Sequence, residues 1–134
     1  MAILTIPHYA PFAREAIDAA ARDGRLGVSA ISIWEITMLE QKRALTLSTD
    51  VRTWVVESRR QPGVRVLPLS ADILIAGPRL PSWLSKGKRT PHKDPADRWI
   101  VATARHTNAV LITCDEQILQ YAEEGHVQAC DAHP

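Results

Sequence analysis

Cysteine is scarce in this chain, and the little there is forms no pattern. Cys114 and Cys130 are the only two, and they make no Cys-x-x-Cys pair. Neither a disulfide framework nor a thiol redox motif is therefore encoded. No combination of histidines and cysteines has zinc-ligand spacing. The scarcity points to a reducing, cytoplasmic compartment, and Cys114, inside an apolar run, reads as a small buried hydrophobe. Long apolar stretches are missing too: nothing approaches the ~20 residues of a membrane span. Met1–Ile6 is apolar but short, and it lacks the basic flank of a signal peptide. Charge of one sign is not in surplus, the net value being +1. No global field argues for nucleic acid, so any such contact must come from a local patch. There is no GxSxG, no P-loop and no GxGxxG, and there are no internal repeats or low-complexity segments.

What is present suits one domain over residues 1–134. A chain of this length buries roughly two-thirds of its unfolded surface, enough for a core without staples. Residues 3–6 read as a short strand or a remnant of one, broken by Pro7 and Pro11. Phe12 to Arg22 carries an apolar face at helical spacing, and Gly24 stops it. Leu26–Ile31 reads as a buried strand. Ser32-Ile33-Trp34-Glu35 then has capping-box form and opens a helix to about Arg43. A second start signal ends at Asp50, before a helix through Val51, Trp54, Val55 and Ser58. Val64–Pro68 reads as a strand. Ser70-Ala71-Asp72 begins a helix that Gly77-Pro78 weakens or ends. Residues 81–93 read as an exposed loop, long for a compact domain and therefore of functional interest. Asp94, Pro95 and Asp97 fall at the N-cap, first and third positions of a helix reaching about Thr107. Asn108 is its left-handed stop. Ala109–Thr113 has the continuous apolar character of a central parallel strand. Asp115 follows, then a short helix from Glu116 to Ala122, the Gly125 turn and a weak edge strand at 126–129. Alternating strands and helices predict an α/β fold with a mostly parallel sheet and helices on both faces.

In such sheets ligands sit beyond the carboxyl ends of the strands. Glu35 follows one strand, Asp115 follows another, and the Asp94–Asp97 helix start reaches the same edge. Clustered carboxylates repel one another, and a hard divalent cation such as Mg²⁺ or Mn²⁺ relieves that conflict with oxygen ligands. Such an ion activates water and clamps a phosphodiester. Each acid also has a plainer reading: Glu35 as the far half of a capping box, Asp97 as a first-turn acid easing the helix dipole, Asp115 as a turn or cap residue. Asp18 and Asp23 read as solvated surface charges.

Three stretches in order resemble the PIN-domain family, and within it the VapC-type toxins of bacterial toxin–antitoxin pairs. They are Ser29-Ala30-Ile31-Ser32-Ile33-Trp34-Glu35-Ile36, His92-Lys93-Asp94-Pro95-Ala96-Asp97-Arg98 and Leu111-Ile112-Thr113-Cys114-Asp115. The resemblance runs from about residue 10 to the end. It implies a three-layer α/β/α sandwich and a Mg²⁺- or Mn²⁺-dependent endoribonuclease. It also implies a cognate antitoxin and a homodimer. Glu35, Asp97 and Asp115 match the family's acids, with Asp94 as cap or auxiliary acid. Thr113 matches a hydroxyl residue that hydrogen-bonds a carboxylate. The family also opens with a central strand ending in an aspartate, an element this chain lacks: Met1–Ile6 contains no acid, and Pro11–Ala21 already looks like the family's next helix. Three explanations stand: a coding start placed too late, a truncated and inactive remnant, or a replacement strand without its acid. The second and third favour a non-catalytic binding domain over an enzyme.

Arg79, Lys86, Lys88, Arg89 and Lys93 line the segment before the Asp97 helix. They read either as a solvated loop or as an RNA footprint contacting phosphates. Trp83 among them is either a stacking platform for an unpaired base or the loop's hydrophobic anchor. Trp34, Trp54 and Trp99 fall on helices and read as core or interface.

Overall fold

The computed structural model describes residues 2–4, 11–85, 88–90 and 95–133. Five parallel strands form one sheet in the order β3-β2-β1-β6-β7. They are β1 (Ala2–Leu4), β2 (Leu26–Ser29), β3 (Val64–Leu67), β6 (Val110–Thr113) and β7 (Gln128–Asp131). Helices α1 (Pro11–Arg22), α2 (Ala30–Gln41), α3 (Val51–Arg59), α4 (Ala71–Ala76), α5 (Pro95–Thr107) and α6 (Glu116–Glu123) connect them. Strands β4 (Trp83–Ser85) and β5 (Lys88–Thr90) make a separate antiparallel pair.

Adjacent residues of β6 sort the core into two layers, as a strand's alternation demands. Leu111 joins Ile100, Val101 and Ala104 of α5 and Ile118 and Tyr121 of α6. Ile112 joins Ile17 of α1 and Leu26 of β2. Helices thus cover both faces, and the molecule is an α/β/α sandwich. The helix starts are those that side-chain capping dictates. Asp50 accepts from Thr53 N at 3.1 Å, and Ser70 accepts from Ile73 N at 3.3 Å. Asn108 takes the left-handed stop at φ 51°. At Gly63, φ is +79°, and a Cβ there would come within 1.7 Å of the Ala21 carbonyl oxygen. Only glycine lets β3 begin so close to the end of α1.

Four sequence expectations change. The strand that seemed to be missing is present: Ala2–Leu4 lies at the centre of the sheet, with Ile3 paired to Gly27 and to Leu111. Three residues suffice because both flanking strands supply hydrogen bonds, a gain that no local pattern reveals. The second helix starts at Ala30 rather than Ser32, because Ser29 caps it, accepting from Ile31 N at 3.3 Å. The segment expected as a loop contains the β4–β5 hairpin, with Trp83 only 2% exposed. Trp34, expected in core or interface, is 52% exposed, which removes only the core from that pair.

Candidate functional site at the carboxyl edge of the sheet

Parallel strands place their carboxyl ends on one edge. β1 and β6 are in register at Leu4 and Ile112, and β6 and β7 at Thr113 and Asp131. α2 leaves that edge directly after Ser29, and α6 leaves it after Asp115. α5 packs on β6 and hands over to it within a few residues, so the helix runs antiparallel to the strand. Its first turn, with Asp97, therefore returns to the same edge.

Each acid has a distinct setting. Glu35 is half-buried in the second turn of α2, not at the third position that a capping box requires. One turn earlier, Ser32 is fully buried, and its Oγ has no hydrogen-bond partner among the described residues. Ser32 and Glu35 share a helix face by their spacing. Asp97 is half-buried in the first turn of α5, between the buried Ala96 and Ile100. The helix N-terminus favours a negative charge there. Asp115 caps α6: its Oδ1 accepts from Gln117 N at 2.8 Å and from Ile118 N at 2.9 Å. Thr113 is buried, and its Oγ1 accepts from the Asp115 backbone N at 3.0 Å. It therefore fixes the chain at Asp115. Asp94, Lys86 and Lys93 lie outside the described residues; Lys88 and Arg89 lie on β5.

The same edge holds a cluster that the sequence did not announce. The Asp131 carboxylate, at the end of β7, accepts from His133 N at 2.8 Å and lies 2.7 Å from His133 Nδ1. These bonds, the backbone one first, hold the Asp131 carboxyl below its usual range. His133 Nε2 lies 3.7 Å from Glu116 Oε1. The only sequence signal was an Asp-x-His at the end of a weak strand. A cleft of about 1300 Å³ runs beside α6 and β7, lined among others by Arg105, Gln120, His126 and Asp131. Glu35, Asp97 and Asp115 do not line it.

Three carboxylates on helices that leave one edge are hard oxygen donors, the chemistry that Mg²⁺ or Mn²⁺ selects. Their positions do not yet make a chelate. Among the described residues, no group of three or more His, Cys, Asp or Glu side chains is placed to hold a metal ion. Topology brings the acids to one edge.

A parallel α/β/α sandwich with acids at its carboxyl edge puts them where open α/β sheets bind their ligands. Residues 4–124 match the PIN domain, and the chain belongs to the PIN-domain family. Among solved structures it is similar to FitAB bound to an IR36 DNA fragment, at 20% identity and a TM-score of 0.62. That likeness covers 98% of this chain and 95% of the other. It is also similar to FitAcB from Neisseria gonorrhoeae, at 19% identity and a TM-score of 0.57, over 98% of both chains. No curated protein matches the chain in sequence.

Proposed function

We propose that this chain is a Mg²⁺- or Mn²⁺-dependent endoribonuclease of the VapC toxin type, working in the cytoplasm. The observation that carries the reading is the convergence of the Glu35, Asp97 and Asp115 helices on one sheet edge. Those three residues would hold the ion, which when bound supplies Lewis-acid activation of water and of the phosphodiester. The protein's own part is positional. Ser29 and Asp115 fix the starts of α2 and α6, and Thr113 fixes the backbone at Asp115. The α5 dipole favours the ionised form of Asp97. Lys86, Lys88, Arg89 and Lys93 would meet RNA phosphates, with Asp94 as helix cap or auxiliary acid. A cognate antitoxin and a homodimer are what the resemblance implies. No helix among the described residues is long and apolar enough to cross a membrane.

One observation favours a second reading, a PIN-type binding domain without catalysis. β1 ends at Leu4 and Thr5 follows, so the family's first acid has no counterpart there. Cleavage of a structured RNA by the purified chain separates the two. With Mn²⁺ the nuclease should cut; EDTA should abolish cutting. Asp97→Asn should lower the rate about a hundredfold or more, the scale on which loss of an electrostatic partner at a reacting centre is felt. A folded chain that cuts nothing, or an Asp97→Asn variant that cuts as before, would reject the assignment.

A further inference from the structure

Ser32-Ile33-Trp34-Glu35 has the form of a capping box, yet the cap of α2 is Ser29, which accepts from Ile31 N at 3.3 Å. Ser32 and Glu35 lie inside the helix, one turn apart. The pair is left for another use.

Ser32 is an unusual place for a hydroxyl. It is fully buried, and its Oγ has no hydrogen-bond partner among the described residues. Inside a helix a hydroxyl can donate to the carbonyl four residues back. Thr37, Thr103 and Thr107 all do so, donating to Ile33, Trp99 and Thr103 at 2.8, 2.6 and 2.8 Å. Four residues before Ser32 stands Val28, which belongs to β2, so no helical carbonyl waits there. Alanine would fill the position without leaving a polar group unpaired.

What the helix does bring to Ser32 is Glu35. Of the two residues one turn on, Ile36 is apolar and buried, and Glu35 carries a carboxylate. Side chains on a helix lean toward its N-terminus and cover the preceding turn. Glu35 therefore leans over the turn of Ser32, toward the carboxyl edge from which α2 starts.

Building on the metal-ion reading of that edge, we propose that Ser32 is a positioning residue for Glu35. In the ion-loaded chain the Ser32 hydroxyl donates to one oxygen of the Glu35 carboxylate and leaves the other for the ion. Burial suits the role, because a hydrogen bond to a charged acceptor is stronger where water is excluded. The resting chain carries an unpaired hydroxyl, and loading relieves it.

The test is Mn²⁺ binding to the full chain by calorimetry, beside melting temperatures with and without the ion. Without Mn²⁺, Ser32→Ala should melt higher than wild type, because it removes an unsatisfied buried group. It should also bind Mn²⁺ about tenfold more weakly, as loss of a partner behind a metal ligand does. Saturating Mn²⁺ should then narrow or reverse the difference in melting temperature. Ser32→Thr keeps the hydroxyl and should bind Mn²⁺ more tightly than Ser32→Ala. On a Glu35→Ala background, Ser32→Ala should change Mn²⁺ affinity by less than about twofold, since the partner is already gone.

A hydroxyl that is merely buried would raise the melting temperature when removed and leave Mn²⁺ affinity untouched, which overturns the role. A tenfold loss on the Glu35→Ala background also overturns it, because the hydroxyl would then act other than through Glu35. So does a lower melting temperature for Ser32→Ala without the ion, the mark of a hydroxyl already bonded. The alanine variants decide the matter even if Ser32→Thr does not fold. The ion reading is judged on wild type alone. If wild type binds no Mn²⁺, that reading fails and the positioning role falls with it. If wild type and Ser32→Ala bind Mn²⁺ equally, only the positioning role falls.

Discussion

Tyr121 has no exposed surface, lies against Trp83 and His126, and donates its hydroxyl to Pro81. Burial pushes its phenol up to about 12, against about 10 for a free tyrosine. The folded chain holds that proton more tightly than the unfolded chain does. The stabilisation it brings is fully present below pH ~10 and is lost as pH rises toward ~12. A phenolate absorbance titration should show one late step near pH 12, and Tyr121→Phe should remove it. A single step near 10 for both tyrosines would mean that the phenol is wet. Ser32 shows the opposite case: a buried hydroxyl with no hydrogen-bond partner among the described residues, where a hydroxyl left wholly without one costs about 1–3 kcal/mol. Nothing in the fold of α2 requires a serine there.

Among the elements, α6 combines two roles in one residue, and substitution can separate them. Asparagine caps helices as well as aspartate does, whereas alanine at a cap costs about 1 kcal/mol. Asp115→Asn should leave the denaturant midpoint nearly unchanged and abolish RNA cleavage. Asp115→Ala should lose both, with about 1 kcal/mol off the unfolding free energy. Equal activity of wild type and Asp115→Asn would reduce Asp115 to a cap. Such caps were legible in the sequence, because a short polar side chain before an apolar helical stripe is a local signal; Asp50, Ser70 and Asp115 all act as read. The start of α2 was not, because Ser29 and Ser32 both suit a cap, and only the length of β2 decides between them. The hairpin escaped notice because prolines and basic residues flank it, and its stability comes from Tyr121, distant in sequence. The acids were legible as residues at one edge. Their orientation was not, since it depends on packing between α2 and α5 that no single stretch encodes.

The whole sheet depends on its shortest inner strand. Within the sheet, β2 and β3 form one half, β6 and β7 the other, and β1 is the strand that joins them. Proline at Ile3 would remove a ladder N–H between two partners, a position that central strands do not tolerate. Ile3→Pro should cost about 3 kcal/mol or more and should broaden or abolish the cooperative unfolding transition. A sharp transition at the wild-type midpoint would show that the halves hold together without β1. This arrangement also sets an order of events during synthesis. β1 is translated before every other strand described, yet its partner β6 arrives only with Val110–Thr113. At roughly 5–20 residues per second, the nascent chain carries an unclosed sheet on the ribosome for on the order of ten seconds. Through that interval the edge of β1 that β6 will cover remains open to any chaperone or partner strand that arrives first.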